Sequence, residues 1–153
     1  MDPNKRAEWE RKYRDALQPL VDEPVLAGGV FYRTGGWAAT VVGPFSGLAA
    51  IISRTMGKRR AGGLPNQFLL AVTPTRVHAF KCSLAFGDVE AREELGVWDR
   101  AGLTVTAEET SVNTKVVLER GGDGQRLICS TGKDELSQSV VQAMQEPIRM
   151  AAA

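Results

Sequence analysis

The sequence predicts a mainly β domain of the α+β class, with a seven-stranded antiparallel bent sheet or open barrel capped by a C-terminal helix. Residues 68–81 hold two apolar runs around Thr73-Pro74-Thr75-Arg76, with proline where a type I turn needs its fixed φ. Residues 103–130 hold short apolar–polar alternations separated by turns. Residues 136–144 carry one apolar helical stripe. An N-terminal helix and a long insertion between the first two strands complete this architecture.

The composition is that of one globular domain. The chain has 153 residues, 43% hydrophobic and 24% charged, which suffices for one buried core. A net charge of +1 argues against a generally basic nucleic-acid binder, so no nucleic-acid partner is expected. Cys82 and Cys129 do not make a disulfide framework, and the charged N-terminus shows no secretory signal. The expected location is therefore the cytoplasm.

Residues 1–20 are predicted to form an amphipathic helix. Asp2 followed by Pro3 is a favourable start, because aspartate accepts from free N–H groups and proline fits the first helical position. One face carries the apolar side chains Trp9, Tyr13, Leu17 and Leu20. The helix either docks on the domain through this stripe or projects from it to bind a partner.

The first strand is predicted at residues 25–33, where Gly28 and Gly29 suggest a bulge. An insertion over residues 35–64 follows. Residues 34–53 carry no formal charge over twenty positions, a length that could cross a bilayer. Glycines, hydroxyl groups and Pro44 dilute this run. A loop with a short buried or interfacial helix over residues 45–56 is therefore the preferred interpretation.

The strands after the hairpin are read from shorter patterns. A polar, acidic connection is expected between the hairpin and the fourth strand, at residues 83–94. Later strands alternate apolar and polar residues, and a glycine-rich turn joins the last two. The predicted strands and turn are residues 95–100, 103–108 and 116–119, the turn 121–124, and the strand 125–130.

The C-terminal helix is predicted to close the barrel. Thr131 is expected to cap it, with Asp134 three residues on as an acidic variant of the capping box. Leu136, Val140 and Met144 are expected to plug one end of the barrel. Pro147 ends the helix, which leaves residues 147–153 as a loose tail.

This element order resembles that of bacterial pleckstrin-homology-like and GRAM-like domains. The resemblance rests on the seven strands, the hairpin with Thr73, Arg76 and Phe80, the fourth strand with Trp98, and the closing helix. It covers about residues 25–144, within a domain predicted at residues 25–146. The resemblance implies a binding or scaffolding module. The insertion departs from a minimal domain of this kind.

No pattern predicts an enzyme, a cofactor or a metal site. His78 is the only histidine, and a structural role on its strand is expected. HExxH, GxSxG and paired Cys/His metal spacings do not occur. Gly132-Lys133 lacks the rest of a phosphate-binding loop. Cys82 and Cys129 are expected as small buried side chains on neighbouring or facing strands.

The candidate working surface is the stretch 37–60, where apolar side chains precede a basic cluster. The residues expected to contact a membrane or a partner are Trp37, Phe45, Leu48, Ile51 and Ile52. Those expected to contact lipid headgroups or other anions are Arg54, Lys58, Arg59 and Arg60. This order suits an anionic lipid surface, because apolar groups enter the acyl boundary while basic groups meet the headgroups. The protein would then be peripheral to the inner face of the membrane.

Alternatives to membrane contact stay open. The insertion could pack back on the sheet or pair with its copy in a homodimer. The chain could instead be a protein–protein interaction or self-assembly module that uses the N-terminal helix or an edge strand. In pleckstrin-homology domains the lipid headgroup commonly binds basic residues around the first inter-strand loop, the place of residues 35–64 here. The family's exact basic motif does not appear, so phosphoinositide specificity is not expected.

Overall fold

The computed structural model describes residues 2–33, 41–42, 67–85, 87–122, 124 and 126–146. The elements in chain order are helix α1 (Pro3–Leu17), a 3-10 turn (Gln18–Leu20), strands β1 (Ala27–Arg33), β2 (Val41–Val42), β3 (Gln67–Val72), β4 (Arg76–Ala85), β5 (Asp88–Asp99), β6 (Leu103–Glu109), β7 (Thr114–Arg120) and β8 (Arg126–Thr131), and helix α2 (Glu135–Gln145). The predicted helix over residues 45–56 and the predicted tail lie outside the described residues.

The seven longer strands form one antiparallel sheet in the order β5-β4-β3-β1-β8-β7-β6. Strands β5 and β6 are the two ends of this path, so the sheet is not closed. The short β2, at residues where no strand was expected, pairs with β8. The predicted mainly β class, with a helix at each end of the chain, is confirmed.

The inner face of the sheet holds the larger core. Apolar residues from both halves of the strand path meet in this one cluster, which shows that the sheet bends around it. Helix α2 contributes Val140, Val141 and Met144 to it, as expected for a helix that plugs the barrel. Leu136 differs from that expectation, because it packs in a separate cluster with Tyr13 and Leu17 of α1.

Helix α1 covers the outer face. It begins as predicted, with the Asp2 carboxylate accepting from the Asn4 N–H at 2.9 Å. Tyr13 and Leu17 are buried against Leu69 and other strand residues, so the helix docks through its stripe instead of projecting. Leu20, the last predicted member of that stripe, lies in the 3-10 turn and is 42% exposed.

Gly28 makes this docking possible. A Cβ atom at Gly28 would lie 2.5 Å from Cδ1 of Leu17, too close for any side chain to fit without movement. The expected bulge at Gly28 and Gly29 is wrong, because β1 pairs with β3 in continuous register from Ala27 to Tyr32. Glycine is needed here for close approach of the helix and not for an irregular strand.

The β4–β5 hairpin is longer than predicted. The segment expected as an acidic connection is mostly strand, since β4 runs to Ala85 and β5 begins at Asp88. Val89 and Ala91 pack against the outer cluster while Glu90 and Arg92 are exposed. Successive side chains of this segment therefore do point alternately to the core and to solvent. The pattern is weak in the sequence because the exposed residues are charged and the core-facing residues are small. A turn joins β3 to β4 at residues 73–76 as predicted, with the Thr73 N–H donating to the Arg76 carbonyl at 2.9 Å and the Arg76 N–H donating to Thr73 Oγ1 at 3.1 Å. The backbone bond expected of a type I turn, from the Arg76 N–H to the Thr73 carbonyl, is replaced by this side-chain bond.

The cap of α2 also differs from the prediction. Asp134, and not Thr131, is the N-cap, and its Oδ2 accepts from the Ser137 N–H at 3.1 Å. Thr131 is the last residue of β8, and its hydroxyl donates to the Val30 carbonyl at 2.9 Å. The threonine side chain is therefore already used in joining β8 to β1.

Arg100 is a buried cation that sequence analysis did not single out. It is 7% exposed and lies at the corner between β5 and β6. Its Nη1 donates to the carbonyls of Thr73 and Pro74 at 3.0 and 3.2 Å. Its Nη2 donates to the carbonyls of Ala143 and Glu146 at 2.9 and 2.6 Å. One guanidinium thus ties the β3–β4 turn to the C-terminal end of α2, where a positive charge is favoured.

Candidate functional site

The predicted working surface cannot be placed on the fold. All nine of its residues lie outside those that the structure describes, namely Trp37, Phe45, Leu48, Ile51, Ile52, Arg54, Lys58, Arg59 and Arg60. The structure does define where this stretch attaches. Tyr32 and Gln67 are paired neighbours on β1 and β3, so the chain leaves the end of β1 and enters β3 side by side. Val41 and Val42 pair with Leu127 and Arg126 at the start of β8.

An aromatic cleft lies beside this attachment point. It has a volume of about 250 Å³ and is bounded by α1, β1, β4 and the start of α2. We define the aromatic cleft by its lining residues Trp9, Tyr13, Gly29, Val30, Tyr32, Leu84, Gly132, Asp134, Leu136 and Ser137. Tyr32 and Leu84 are 46% and 38% exposed. The cleft is therefore an apolar surface that remains open to solvent beside the docked helix.

Two rings of the cleft come from α1. The Trp9 and Tyr13 centroids are 5.8 Å apart with the rings tilted by 36°. The Lys12 ammonium lies 4.7 Å from the Trp9 ring centroid and donates to the Gly87 carbonyl at 2.7 Å. These contacts connect α1 to the β4–β5 turn and fix the position of Trp9 at the edge of the cleft.

The electrostatics of the cleft are set by acidic groups. Burial, followed by the smaller effects of the nearby Tyr32, Asp134 and Cys82, raises the pKa of Tyr13 to about 12. Asp134 is the one charged residue among the described lining residues. The tyrosine therefore stays protonated, and its surroundings disfavour added negative charge.

A second cleft, of about 290 Å³, lies between α1, α2 and the start of β1. Its lining mixes charges of both signs, with Glu10, Arg14 and Glu146 around Leu26 and Leu136. Glu10 already accepts from Arg6 at 3.0 Å. This mixture gives no preference for a ligand of either charge.

His78 lies in the core region and not in a cleft. It is 5% exposed, its Nδ1 is 3.1 Å from Oε2 of Glu94, and its ring stacks on Phe80 with centroids 6.0 Å apart. Among the described residues its Nε2 has no hydrogen-bond partner. The expected structural role of this histidine agrees with its burial and its carboxylate partner.

The two cysteines occupy different clusters. Cys129 lies in the inner core on β8, whereas Cys82 packs against the outer cluster on β4 and is only partly buried. Strands β4 and β8 are not neighbours, although both contribute side chains to the inner core. Cys82 lies at the outer cluster and is not fully buried, so the two thiols do not meet. Burial raises the pKa of Cys82 to about 11 and that of Cys129 still further. Both thiols stay protonated at neutral pH, the unreactive form.

Among the residues that the structure describes, no helix is long and apolar enough to cross a membrane. Across the same residues, no group of three or more His, Cys, Asp or Glu side chains is placed to hold a metal ion.

Comparisons with known proteins support the fold. No family model matches the chain, and no curated protein matches it by sequence. Its fold is similar to a solved structure of Vav1 inhibited by an allosteric inhibitor, from work on Vav1 inhibitors that block GEF activity. The TM-score is 0.50 at 8% identity, and the match covers 92% of this chain and 33% of that one. The chain thus spans about a third of the length of the structure that it matches.

Vav1 contains a pleckstrin-homology domain, and at this identity the likeness concerns the fold alone. The likeness agrees with the pleckstrin-homology-like fold that the sequence resemblance implies. The GRAM-like and bacterial parts of the resemblance stay predictions.

Sequence analysis named Trp9, Tyr13, Gly29, Asp134 and Leu136 for other reasons, but it did not bring the residues of the aromatic cleft together. Tyr32 follows the buried Phe31, so strand alternation could have placed it on the outer face. Leu84 lay in the segment misread as a connection, and Asp134 was considered only as part of a helix cap. Their convergence depends on how α1 and α2 pack, which a local sequence pattern does not contain.

Proposed function

We propose that the chain is a non-catalytic binding or scaffolding module of pleckstrin-homology-like fold that contacts an anionic membrane surface through residues 37–60. The observation that supports this most is the strand order followed by the closing helix, with residues 34–66 connecting the longer strands β1 and β3. Folds of one kind carry many functions, so the argument for this surface rests on its residues.

The chemistry of the stretch suits a charged lipid surface. Trp37, Phe45, Leu48, Ile51 and Ile52 would enter the acyl boundary. Arg54, Lys58, Arg59 and Arg60 would meet anionic headgroups, each worth about 1 kcal/mol near such a surface. The protein would then lie peripherally on the inner face of the membrane.

Co-sedimentation with lipid vesicles tests this proposal. The full chain should bind vesicles containing phosphatidylserine more strongly than vesicles of phosphatidylcholine alone, and added salt should weaken the binding. The triple variant Lys58→Ala, Arg59→Ala, Arg60→Ala should lose most of it.

The control is a second triple variant that removes the same number of positive charges from a different part of the surface. Arg76, Arg92 and Arg126 are exposed on strands and make long surface ion pairs of 3.6, 3.5 and 3.9 Å. Replacing these three by alanine should leave binding to anionic vesicles close to that of the unmodified chain, since such pairs contribute little to stability. Equal losses in both triple variants, or no binding at all, would reject the proposal.

A protein–protein interaction or self-assembly module is the second candidate. Among the described residues, β5 and β6 each pair on one side only, and β6 is largely exposed. An unpaired strand edge can accept a further strand. Light scattering decides: a concentration-dependent dimer that ignores lipid, and that Thr106→Lys converts to monomer, would favour this candidate over membrane contact.

A further inference from the structure

We propose that the aromatic cleft binds a lysine side chain, free or methylated, of a protein partner. Three rings line it, from Trp9, Tyr13 and Tyr32, together with the carboxylate of Asp134. None of the lining residues belongs to the stretch 37–60, so the proposal does not depend on membrane contact.

The rings supply the first part of the recognition. The face of an aromatic ring carries a partial negative charge that attracts a cation within about 6 Å, and Trp is the most effective ring. Trp9 already has a cation at this range, because Lys12 Nζ lies 4.7 Å from its centroid. Lys12 does not line the cleft, and Tyr13 and Tyr32 provide two further rings there. Clusters of this kind recognise methylated ammonium groups.

Charge complementarity supplies the second part. Asp134 is the only charged residue among the described lining residues, and no basic residue described by the structure lines the cleft. Arg6, the basic residue paired with the neighbouring Glu135, also bonds Glu10. A positively charged group entering the cleft would therefore meet the Asp134 carboxylate, while the cations beside the cleft, Lys12 and Arg6, are held by the Gly87 carbonyl and by Glu10 and Glu135.

The same charges disfavour a choline lipid as the occupant. A phosphocholine headgroup carries a phosphate next to its ammonium group. In the cleft, that phosphate would lie near the carboxylates of Asp134 and Glu135. No basic residue among the described lining residues would neutralise it. A lysine side chain brings a cation with no attached anion. Its apolar stem can also lie against Leu84 and Leu136, as such stems do on apolar surface.

Titration of the full chain with short neutral-flanked peptides tests the proposal. The probes are a glycine–serine peptide with one lysine, the same peptide with trimethyllysine, and the same peptide with the neutral isostere in which carbon replaces the quaternary nitrogen. NMR signals of the Leu84 and Leu136 methyl groups report on the cleft. At least one cationic peptide should bind about tenfold more tightly than the neutral isostere.

Two variants test the cleft residues separately. Tyr32→Ala removes an exposed ring, and Asp134→Asn removes the charge while keeping a good helix cap. Each substitution should weaken binding of the cationic peptide several-fold and leave binding of the neutral peptide nearly unchanged. Val112→Ala, at a 79% exposed residue between β6 and β7, is the matched control and should change nothing.

Three results would overturn the proposal. They are equal binding of neutral and cationic peptides, no shift of the cleft signals at millimolar peptide, and phosphatidylcholine vesicles that bind in a Tyr32-dependent way while the peptides do not. Because the vesicle test of residues 58–60 uses anionic lipid and different variants, either proposal can fail while the other stands.

Discussion

The two faces of the sheet are covered by helices in different ways. On the inner face, α2 inserts Val140, Val141 and Met144 between strands from both halves of the sheet. On the outer face, α1 lies over a glycine, with Leu17 against Gly28, and the aromatic cleft remains open at its side. The inner face is therefore a filled core, whereas the outer face combines a docked helix with an accessible recess.

This difference separates stability from binding. Side chains on the inner face are closely packed and cannot move into solvent while the domain stays folded. Substitutions there should therefore lower the free energy of unfolding of the whole domain. Changes at the outer face should act on the docking of α1 or on the cleft. The following four changes test that separation, and the expected effects decrease from the first to the last.

Val140→Asp should have the largest effect. Val140 is fully buried on α2, and an unpaired carboxylate there should cost about 4 kcal/mol or more, a large part of the stability of an ordinary domain. Circular dichroism with urea denaturation measures it. Gln142→Asp, on the exposed side of the same helix, is the control and should stay folded. A Val140→Asp protein with a near-normal midpoint would contradict the filled inner core.

Arg100→Met should cost about 2–4 kcal/mol, because four carbonyls lose a charged donor. Urea denaturation gives the free energy of unfolding. Arg76→Met is the matched control, since Arg76 is exposed and its 3.6 Å pair with Asp99 should contribute less than about 1 kcal/mol. Equal effects of the two substitutions would show that the buried guanidinium does not connect the turn to α2.

Gly28→Ala should cost about 1–3 kcal/mol, because the added methyl group overlaps Leu17 Cδ1. Adding Leu17→Ala should relieve the overlap, so the double variant should be more stable than the sum of the two single costs implies. Strict additivity of these free energies would mean that α1 does not lie on Gly28 in solution.

Tyr13→Phe should change the response to alkaline pH. The folded-state pKa of Tyr13 is about 12, above its ordinary value of 10.0, mainly because of burial. The stabilisation from its neutral phenol is thus complete below pH 10 and is lost as the pH rises through about 12. The urea midpoint of Tyr13→Phe should fall less than that of the unmodified protein over this window. Identical slopes would indicate that Tyr13 is solvated.

Much of the fold could be predicted because its signals are local. The turn at residues 73–76 depends on Pro74, and the start of α1 depends on Asp2 and Pro3, all within a few positions of the structure that they determine. The stripe of α2 is equally local. Each pattern specifies its own element without information from distant parts of the chain.

The sequence predictions were wrong where contacts between residues far apart in the chain determine the local structure. In the first half of β5, which was predicted as a connection, the core-facing residues are the small Val89 and Ala91. This segment pairs with β4 although its exposed residues are charged. Thr131 is a reasonable cap in isolation, yet its hydroxyl bonds the Val30 carbonyl of another strand. Leu136 belongs to the helical stripe but packs against α1. The aromatic cleft likewise joins residues from four elements, and no short window of sequence contains them.

Because Tyr32 pairs with Gln67, the segment that connects β1 to β3 can vary in length during evolution. Adjacent antiparallel strands lie about 5 Å apart, so any linker able to bridge that gap can join β1 to β3. Lengthening such a linker costs only about 0.6 kcal/mol per doubling. The domain can therefore serve as a frame into which loops of varied size and chemistry are grafted, and new specificity can be acquired there without redesigning the scaffold.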